Sequence, residues 1–369
     1  MPSASSMPLA RVHKVLAVIL LGAAGPVQAQ SSALKPPVLQ RDLTLGCESC
    51  TGPLQFGNIW ELALSPTGEM VVVDRDAPMI REFDADGRTR WQGGRKGQGP
   101  GEYLLVLRAA YADNGNLVVA DMTGRRVTSL GVDRKVAKTT PLTMFATTGG
   151  ADARGTLVLA AETPRGALAL VEWRAGSLRP LALPVADSAL PLAKNSSVAR
   201  ASTGIVAVAM NSEDYRIVRF DSIGARLPEI RRAIARVRRT PAEVNALRAR
   251  VERNKRQMAS MEAARANSAA RRSVPSTVTP LPVSIDDLTL KPHIAVDGLR
   301  YDPQGRLWVR TMRGDESMTV FDVFATSGAF LGSVTMQGDI QLFAFGGRWM
   351  LTSFENADGV PQVSRWVVK

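Results

Sequence analysis

Leu62 to Trp91 reads LALSPTGEMVVVDRDAPMIREFDADGRTRW, and the pattern of this stretch decides the fold. Leu62–Leu64 and Met70–Val73 are apolar runs of strand length, separated by the turn Ser65-Pro66-Thr67-Gly68. Met79–Phe83 alternates about Ile80 and Phe83, and Asp84-Ala85-Asp86-Gly87 makes a second turn before a fourth strand near Trp91. Short apolar runs punctuated by Gly, Pro and Asp predict an antiparallel meander.

The unit recurs downstream. AAYADNGNLVVADMTGRRVTSLGVD, from Ala109, repeats it closely, and Asp121 falls where Asp74 fell. Further copies run through Gly150–Arg174, Ala201–Ala225, Val296–Ser333 and Gln341–Lys369. Their first-turn glycines are Gly68, Gly115, Gly155, Gly204, Gly305 and Gly347. All but one of the intervals fall near the period of roughly 40–50 residues that marks propeller blades, and the long one, from Gly204 to Gly305, holds an insertion. The last unit supplies three strands, while Val38–Leu45 is a spare strand at the other end. The prediction is an all-β, six-bladed β-propeller over residues 38–369, closed by its N-terminal strand, with a basic α-helical insertion between blades 4 and 5.

Ahead of the propeller, Arg11 and Lys14 precede the apolar run Val15–Ala24, and Val27-Gln28-Ala29 is a small-x-small cleavage pattern. Residues 1–29 therefore read as a secretory signal peptide and 30–37 as a flexible leader, with no transmembrane segment after cleavage. The expected location is periplasmic or extracellular. Disulfides form there, and Cys47 and Cys50 are read as a local structural pair. Thr51 stands where a c-type haem site needs His, and a zinc site lacks its other two ligands.

The net charge of +12 is concentrated in one place. Arg226 to Arg272 holds 14 basic and 4 acidic residues, and the remainder is nearly balanced. Within that segment, Ile230, Ile234 and Val237 have helical spacing and predict a helix over Glu229–Arg239. Thr240-Pro241-Ala242-Glu243 is a capping box opening a second helix to about Ala266, whose polar faces carry Arg248, Arg250, Arg253, Lys255 and Arg256. A polar linker follows, so the insertion is expected over 226–292. Its charge points to an anionic or protein partner at the cell envelope; nucleic acid is not expected for an exported chain.

Between the first two blades lies Arg95-Lys96-Gly97-Gln98-Gly99-Pro100-Gly101-Glu102. It has neither the Gly-Lys-Ser/Thr of a phosphate loop nor the spacing of a dinucleotide fingerprint. Its glycines and proline suit a fixed corner, with Glu102 accepting backbone hydrogen bonds. Gly97-x-Gly99-Pro100-Gly101-Glu102, the recurring Gly-x-Leu-x-Val-x-Asp strands and the trailing Phe-Asp-x-x-Gly together resemble the bacterial exported six-bladed propellers related to NHL-repeat proteins. The resemblance covers most of residues 56–369 and implies a toroidal fold without implying a particular reaction. It also implies a turn-stabilising role for Asp74 and Asp121. The Glu/Asn/Asp metal cluster of gluconolactonase-like propellers has no match here.

Candidate ligand contacts are Arg95, Lys96, Glu102, Asp74, Asp121 and His293. After signal cleavage His293 is the one histidine left, so Ser-His-Asp or His-metal chemistry would depend wholly on it. No catalytic constellation and no cofactor is predicted, and the metal question stays open. The expected function is a non-enzymatic binding or scaffold module using one face and the basic insertion; the alternative is a propeller lyase or hydrolase with a carboxylate or metal site in the central channel.

Overall fold

Each blade is a four-stranded antiparallel meander, and the first shows why. Ile59–Leu64, Met70–Asp74, Ile80–Phe83 and Thr89–Gly93 hydrogen-bond in sequence order. Met70–Asp74 is buried along its whole length, because neighbouring blades cover both faces, whereas the outermost Thr89–Gly93 is half to fully exposed. In this computed structural model the described residues are 35–75, 79–152, 154–162, 168–181, 196–209, 213–245, 247–249, 252, 256, 289–315 and 317–369. They form six such sheets: 59–93, 106–141, 145–180, 197–231, 294–337, and a sixth built from 342–368. In the sixth the outermost strand is Leu39–Leu45, antiparallel to Pro361–Val368.

The six first-turn glycines all have positive φ, from 54° at Gly347 to 98° at Gly68, a conformation that a side chain disfavours. At Gly155 a Cβ would also lie 2.8 Å from the Cα of Ala112, so this turn packs directly on that of the preceding blade.

The core is divided among the blade interfaces. One apolar cluster joins Val71, Val73 and Ile80 of blade 1 to Val106, Ala109 and Leu117 of blade 2, and five more clusters occupy the successive interfaces around the ring. Polar pins cross the same interfaces. Glu82 accepts from the Tyr111 hydroxyl at 2.9 Å and from Arg134 Nε at 2.7 Å. Its counterpart in blade 3, Glu172, pairs with Arg200 of blade 4 at 2.9 Å, and Arg219 of blade 4 donates to the carbonyl of Thr326 at 2.7 Å. Between blades 6 and 1, Arg365 donates to the Gly68 carbonyl at 2.9 Å and pairs with Asp42 at 3.1 Å.

The helix expected over Glu229–Arg239 does not form. Arg226–Arg231 is the outermost strand of blade 4, with Ile230 opposite Ile217 and 3 % exposed. A strand places alternate residues on one face, and Glu229 there gathers Arg216, Arg226 and Arg231. These three cations bring the Glu229 carboxyl down to about 2, even against its partial burial. The insertion therefore starts after Arg231. It stands on a short stalk, in which Arg239 N–H donates to Thr289 and Lys291 N–H to Val237. The capping box follows: Thr240 N–H donates to Glu243 Oε2 at 2.7 Å, and Glu243 N–H to Thr240 Oγ at 3.2 Å. Residues 241–245 and 247–249 are helical, as are 252 and 256. Arg248 and Arg256 are exposed; Arg250, Arg253, Lys255 and the linker expected after Ala266 lie outside the described residues, as does the segment 1–29. No described helix is long and apolar enough to cross a membrane.

Candidate functional site

The innermost strands begin at one end of the ring, where their first residues surround a cavity of about 610 Å³. Its apolar wall comes from Ile59, Trp60, Leu107, Val296, Leu342 and Phe354, and the guanidinium of Arg75 lies 3.7 Å over the Trp60 ring at the rim. Deeper on the axis Arg108 borders both this funnel and a smaller cleft from the opposite end, so its side chain is a partition across the channel.

Arg108 is 4 % exposed and held on several sides. It donates to Glu61 Oε2 at 3.0 Å, to the Gly149 carbonyl at 2.7 Å, to its neighbour Leu107 at 2.6 Å, and to Asp297. Arg300 reaches Asp297 Oδ2 at 2.9 Å. Arg310 interacts electrostatically with Asp339 and, more weakly, with Asp297; it donates to the Ile340 carbonyl, but its Nε is buried without an acceptor. Burial pushes the Glu61 carboxyl up to about 7, with Arg108 and Arg300 offsetting only part of the rise. For Asp297 burial acts in the same direction, but Arg108 and Arg300 outweigh it and hold this carboxyl below its usual range. Two carboxylates on one arginine are thus driven apart.

Asp297 reaches this position through backbone irregularity. The register of the innermost strand Ile294–Tyr301 shifts between Ile294 and Leu299, and Asp297 has φ 59°. Left-handed backbone at a non-glycine residue is strained, and such strain gathers at functional positions. The bulge turns Val296 outward, 56 % exposed, to the funnel. Across the channel the Thr148 hydroxyl, on a residue 5 % exposed, is buried without a partner.

The candidates named from sequence lie elsewhere. Asp74 accepts the backbone N–H groups of Gly57 and Asn58 at 2.8 and 2.9 Å. Asp121 does the same for Leu104, Leu105 and Gly124 at 3.0, 2.9 and 2.9 Å. Each carboxylate holds the chain entering an innermost strand, and neither lines the funnel. Asp121→Ala would strand three N–H groups and should lower stability by about 2 kcal/mol. Urea unfolding is the measurement.

Glu102 binds its own loop, accepting from Gly99 N–H at 2.8 Å and Arg95 Nε at 2.6 Å. Those bonds, led by the one from Gly99, lower its pKa. Arg95 is otherwise exposed, and Lys96 makes a backbone bridge to Tyr103. His293 packs edge-on against Tyr215 with ring centroids 6.2 Å apart, and partial burial followed by Arg236 lowers its pKa. None of these residues lines the funnel. Cys47 and Cys50 form a disulfide with S–S 2.10 Å. Among the described residues no group of three or more His, Cys, Asp or Glu is placed to hold a metal ion.

The axial residues Glu61, Arg108, Asp297, Arg300 and Arg310 were not among those candidates. A signal was present for some of them. Glu61, Arg108, Thr148 and Ser197 each stand seven positions before their blade's first-turn glycine. The ladders place them at one level around the axis, opposite Val73, Ala120, Ala160 and Ala209.

No protein-family model and no curated relative matches the sequence. Solved structures do match in fold. A member of the DUF4221 family from Bacteroides vulgatus superposes with TM-score 0.51 at 9 % identity, covering 91 % of this chain and 99 % of that one. A Bacteroides fragilis protein inferred to be exported gives 0.50 at 11 %, covering 90 % and 95 %. Virginiamycin B lyase from Staphylococcus aureus gives 0.48 at 11 %, covering 90 % and 100 %. At these identities the likeness is one of fold.

Proposed function

We propose that this chain is an exported, non-enzymatic binding module that receives an acidic group in the axial funnel, borne by a small ligand or by a protein partner at the cell envelope. The observation that carries this reading is the charge on the funnel floor. Arg108 and Asp297 line the funnel, Arg300 and Arg310 lie behind them, and these three guanidinium groups face three carboxylates, of Glu61, Asp297 and Asp339, of which Glu61 is raised to about 7 and so gives up part of its charge near neutrality. A buried excess of positive charge is costly without a counter-ion, and a ligand anion would supply one. Trp60 and Phe354 offer apolar contact around it, as expected of a pocket that fixes orientation with few polar groups. The exposed Arg248 and Arg256 of the insertion would add long-range attraction. Export rests on the leader at 1–29 and agrees with the Cys47–Cys50 disulfide, and the resemblance to NHL-related exported propellers belongs to the same reading.

The test is calorimetric titration with carboxylated and neutral forms of the same oligosaccharide fragments. Acidic forms should bind at least about tenfold more tightly, a difference of about 1.4 kcal/mol. Trp60→Ala should weaken them by a similar factor. Replacing 244–288 with a short Gly-Ser linker should leave the fold intact and slow association at low salt. Equal affinity for neutral and acidic forms would overturn the reading.

A second reading has one observation in its favour. A carboxyl near 7 beside one held ionised is the arrangement of a general acid and its base, so Glu61 and Asp297 could serve a lyase or hydrolase. Turnover of an acidic oligosaccharide, abolished by Glu61→Gln, would select it.

A further inference from the structure

At the end of the ring opposite the funnel, a cleft of about 390 Å³ opens between blades 2 and 3. One wall is the turn Asp113-Asn114-Gly115-Asn116 with Lys138 behind it; the other is Arg154 and the hairpin Arg174-Ala175-Gly176. Lys138, Arg154 and Arg174 are exposed, and among the described residues no carboxylate lies within salt-bridge distance of any of them. The one acidic residue in the lining is Asp113. Like charges gathered around one concavity repel each other unless an anion joins them.

A second observation points the same way. Trp173 lines the cleft and is 3 % exposed, yet its indole N–H is buried without an acceptor. Buried indole N–H groups ordinarily find a partner. The walls are fixed in advance. Gly155 is locked against Ala112, as described above, and Thr140 Oγ donates to the Gly176 carbonyl at 3.2 Å, tying the hairpin to blade 2. Ala175 has φ 48°, so the hairpin keeps a left-handed non-glycine residue next to Arg174.

We propose that this cleft is a second anion site, separate from the funnel, and that its ligand is a phosphate dianion, free or as a phosphomonoester. Three cations against one carboxylate leave an excess of two, which a dianion balances and a single carboxylate does not. Two guanidinium forks, an ammonium and an indole N–H match the several acceptor oxygens of a phosphate.

The experiment uses the full chain at low ionic strength, with inorganic phosphate and phenyl phosphate as separate titrants and acetate as the monoanion control. Both phosphates should bind in the sub-millimolar range, acetate at least about tenfold more weakly, and the indole N–H resonance of Trp173, assigned with Trp173→Phe, should move on saturation. Arg154→Gln combined with Arg174→Gln changes only exposed side chains and should weaken phosphate by about tenfold or more. Trp60→Ala, in the funnel, should leave it unchanged, so the two sites are read independently. If phenyl phosphate binds and inorganic phosphate does not, the ring rather than the dianion is being recognised and the proposal fails. It fails equally if the double variant binds phosphate as well as the parent chain.

Discussion

Arg108→Met should destabilise the protein by about 3–5 kcal/mol, the range for removing one partner of a buried ion pair. The arginine is almost wholly buried and serves four elements at once: Glu61 of blade 1, Leu107 of its own blade, Gly149 of blade 3 and Asp297 of blade 5. Methionine restores most of the stem volume and none of the charge. Glu61 then loses its 3.0 Å partner, and Asp297 keeps Arg300 alone among its two hydrogen-bonded arginines. Without Arg108 the buried Glu61 carboxyl rises further and stays protonated near neutrality, so adding Glu61→Gln to the variant should return part of the loss only at alkaline pH, where the carboxyl would otherwise be forced to ionise. Urea unfolding followed by tryptophan fluorescence measures all three proteins. A loss below about 1 kcal/mol would mean that the axial charges are hydrated in solution and do not form a closed partition.

The second large effect concerns pH. The folded-state pKa of Glu61, about 7, lies above the value of an unfolded glutamate, so the native chain binds more protons across the interval between them. Through this group stability falls as pH rises from about 4.5 to about 7, and it is greatest on the acid side of that window. A shift of this size corresponds to something on the order of 3 kcal/mol. Asp152, raised chiefly by burial, acts in the same sense. Glu229 and Asp297, whose carboxyls are lowered, act in the opposite sense and at lower pH, since their contributions disappear as pH falls through their folded values. The difference between the parent chain and Glu61→Gln isolates the axial group. The parent should lose stability relative to the variant on passing from pH 5 to pH 8, and parallel profiles would assign the slope to other residues.

The architecture was legible because turn chemistry is local. Six turns need positive φ, glycine supplies it, and the spacing of those glycines alone marks the blades. The capping box at Thr240 was legible for the same reason, since both of its hydrogen bonds close within four residues. The helix expected over Glu229–Arg239 was a misreading of spacing. Ile230, Ile234 and Val237 suit a helix, but Ile230 is buried by pairing with a strand already in place, and Ile234 packs on the core between blades 4 and 5. Tertiary pairing outweighed a short stretch of periodicity. Asp74 and Asp121 drew attention by recurring, and what recurs in a repeat protein is what every repeat needs to fold. Glu61 and Arg108 look in sequence like the polar half of an alternating strand. Their inward position emerges only when each blade is counted back from its turn glycine. Asp297 had no such marker, because the bulge that turns it toward the axis shifts the count in its own strand.

Leu39–Leu45 finds its hydrogen-bonding strand at Pro361–Val368, and Thr44 and Ser364, whose hydroxyls meet at 2.9 Å, stand 320 positions apart. A chain that emerges from its N-terminus at the ribosome therefore presents that strand long before anything can cover it. The strand carries three consecutive exposed residues, Gln40, Arg41 and Asp42, polar side chains that discourage adventitious pairing during the wait. Sealing of the sixth sheet is expected as the last and slowest event of refolding, since so distant a contact must be won against the entropy of nearly the whole chain.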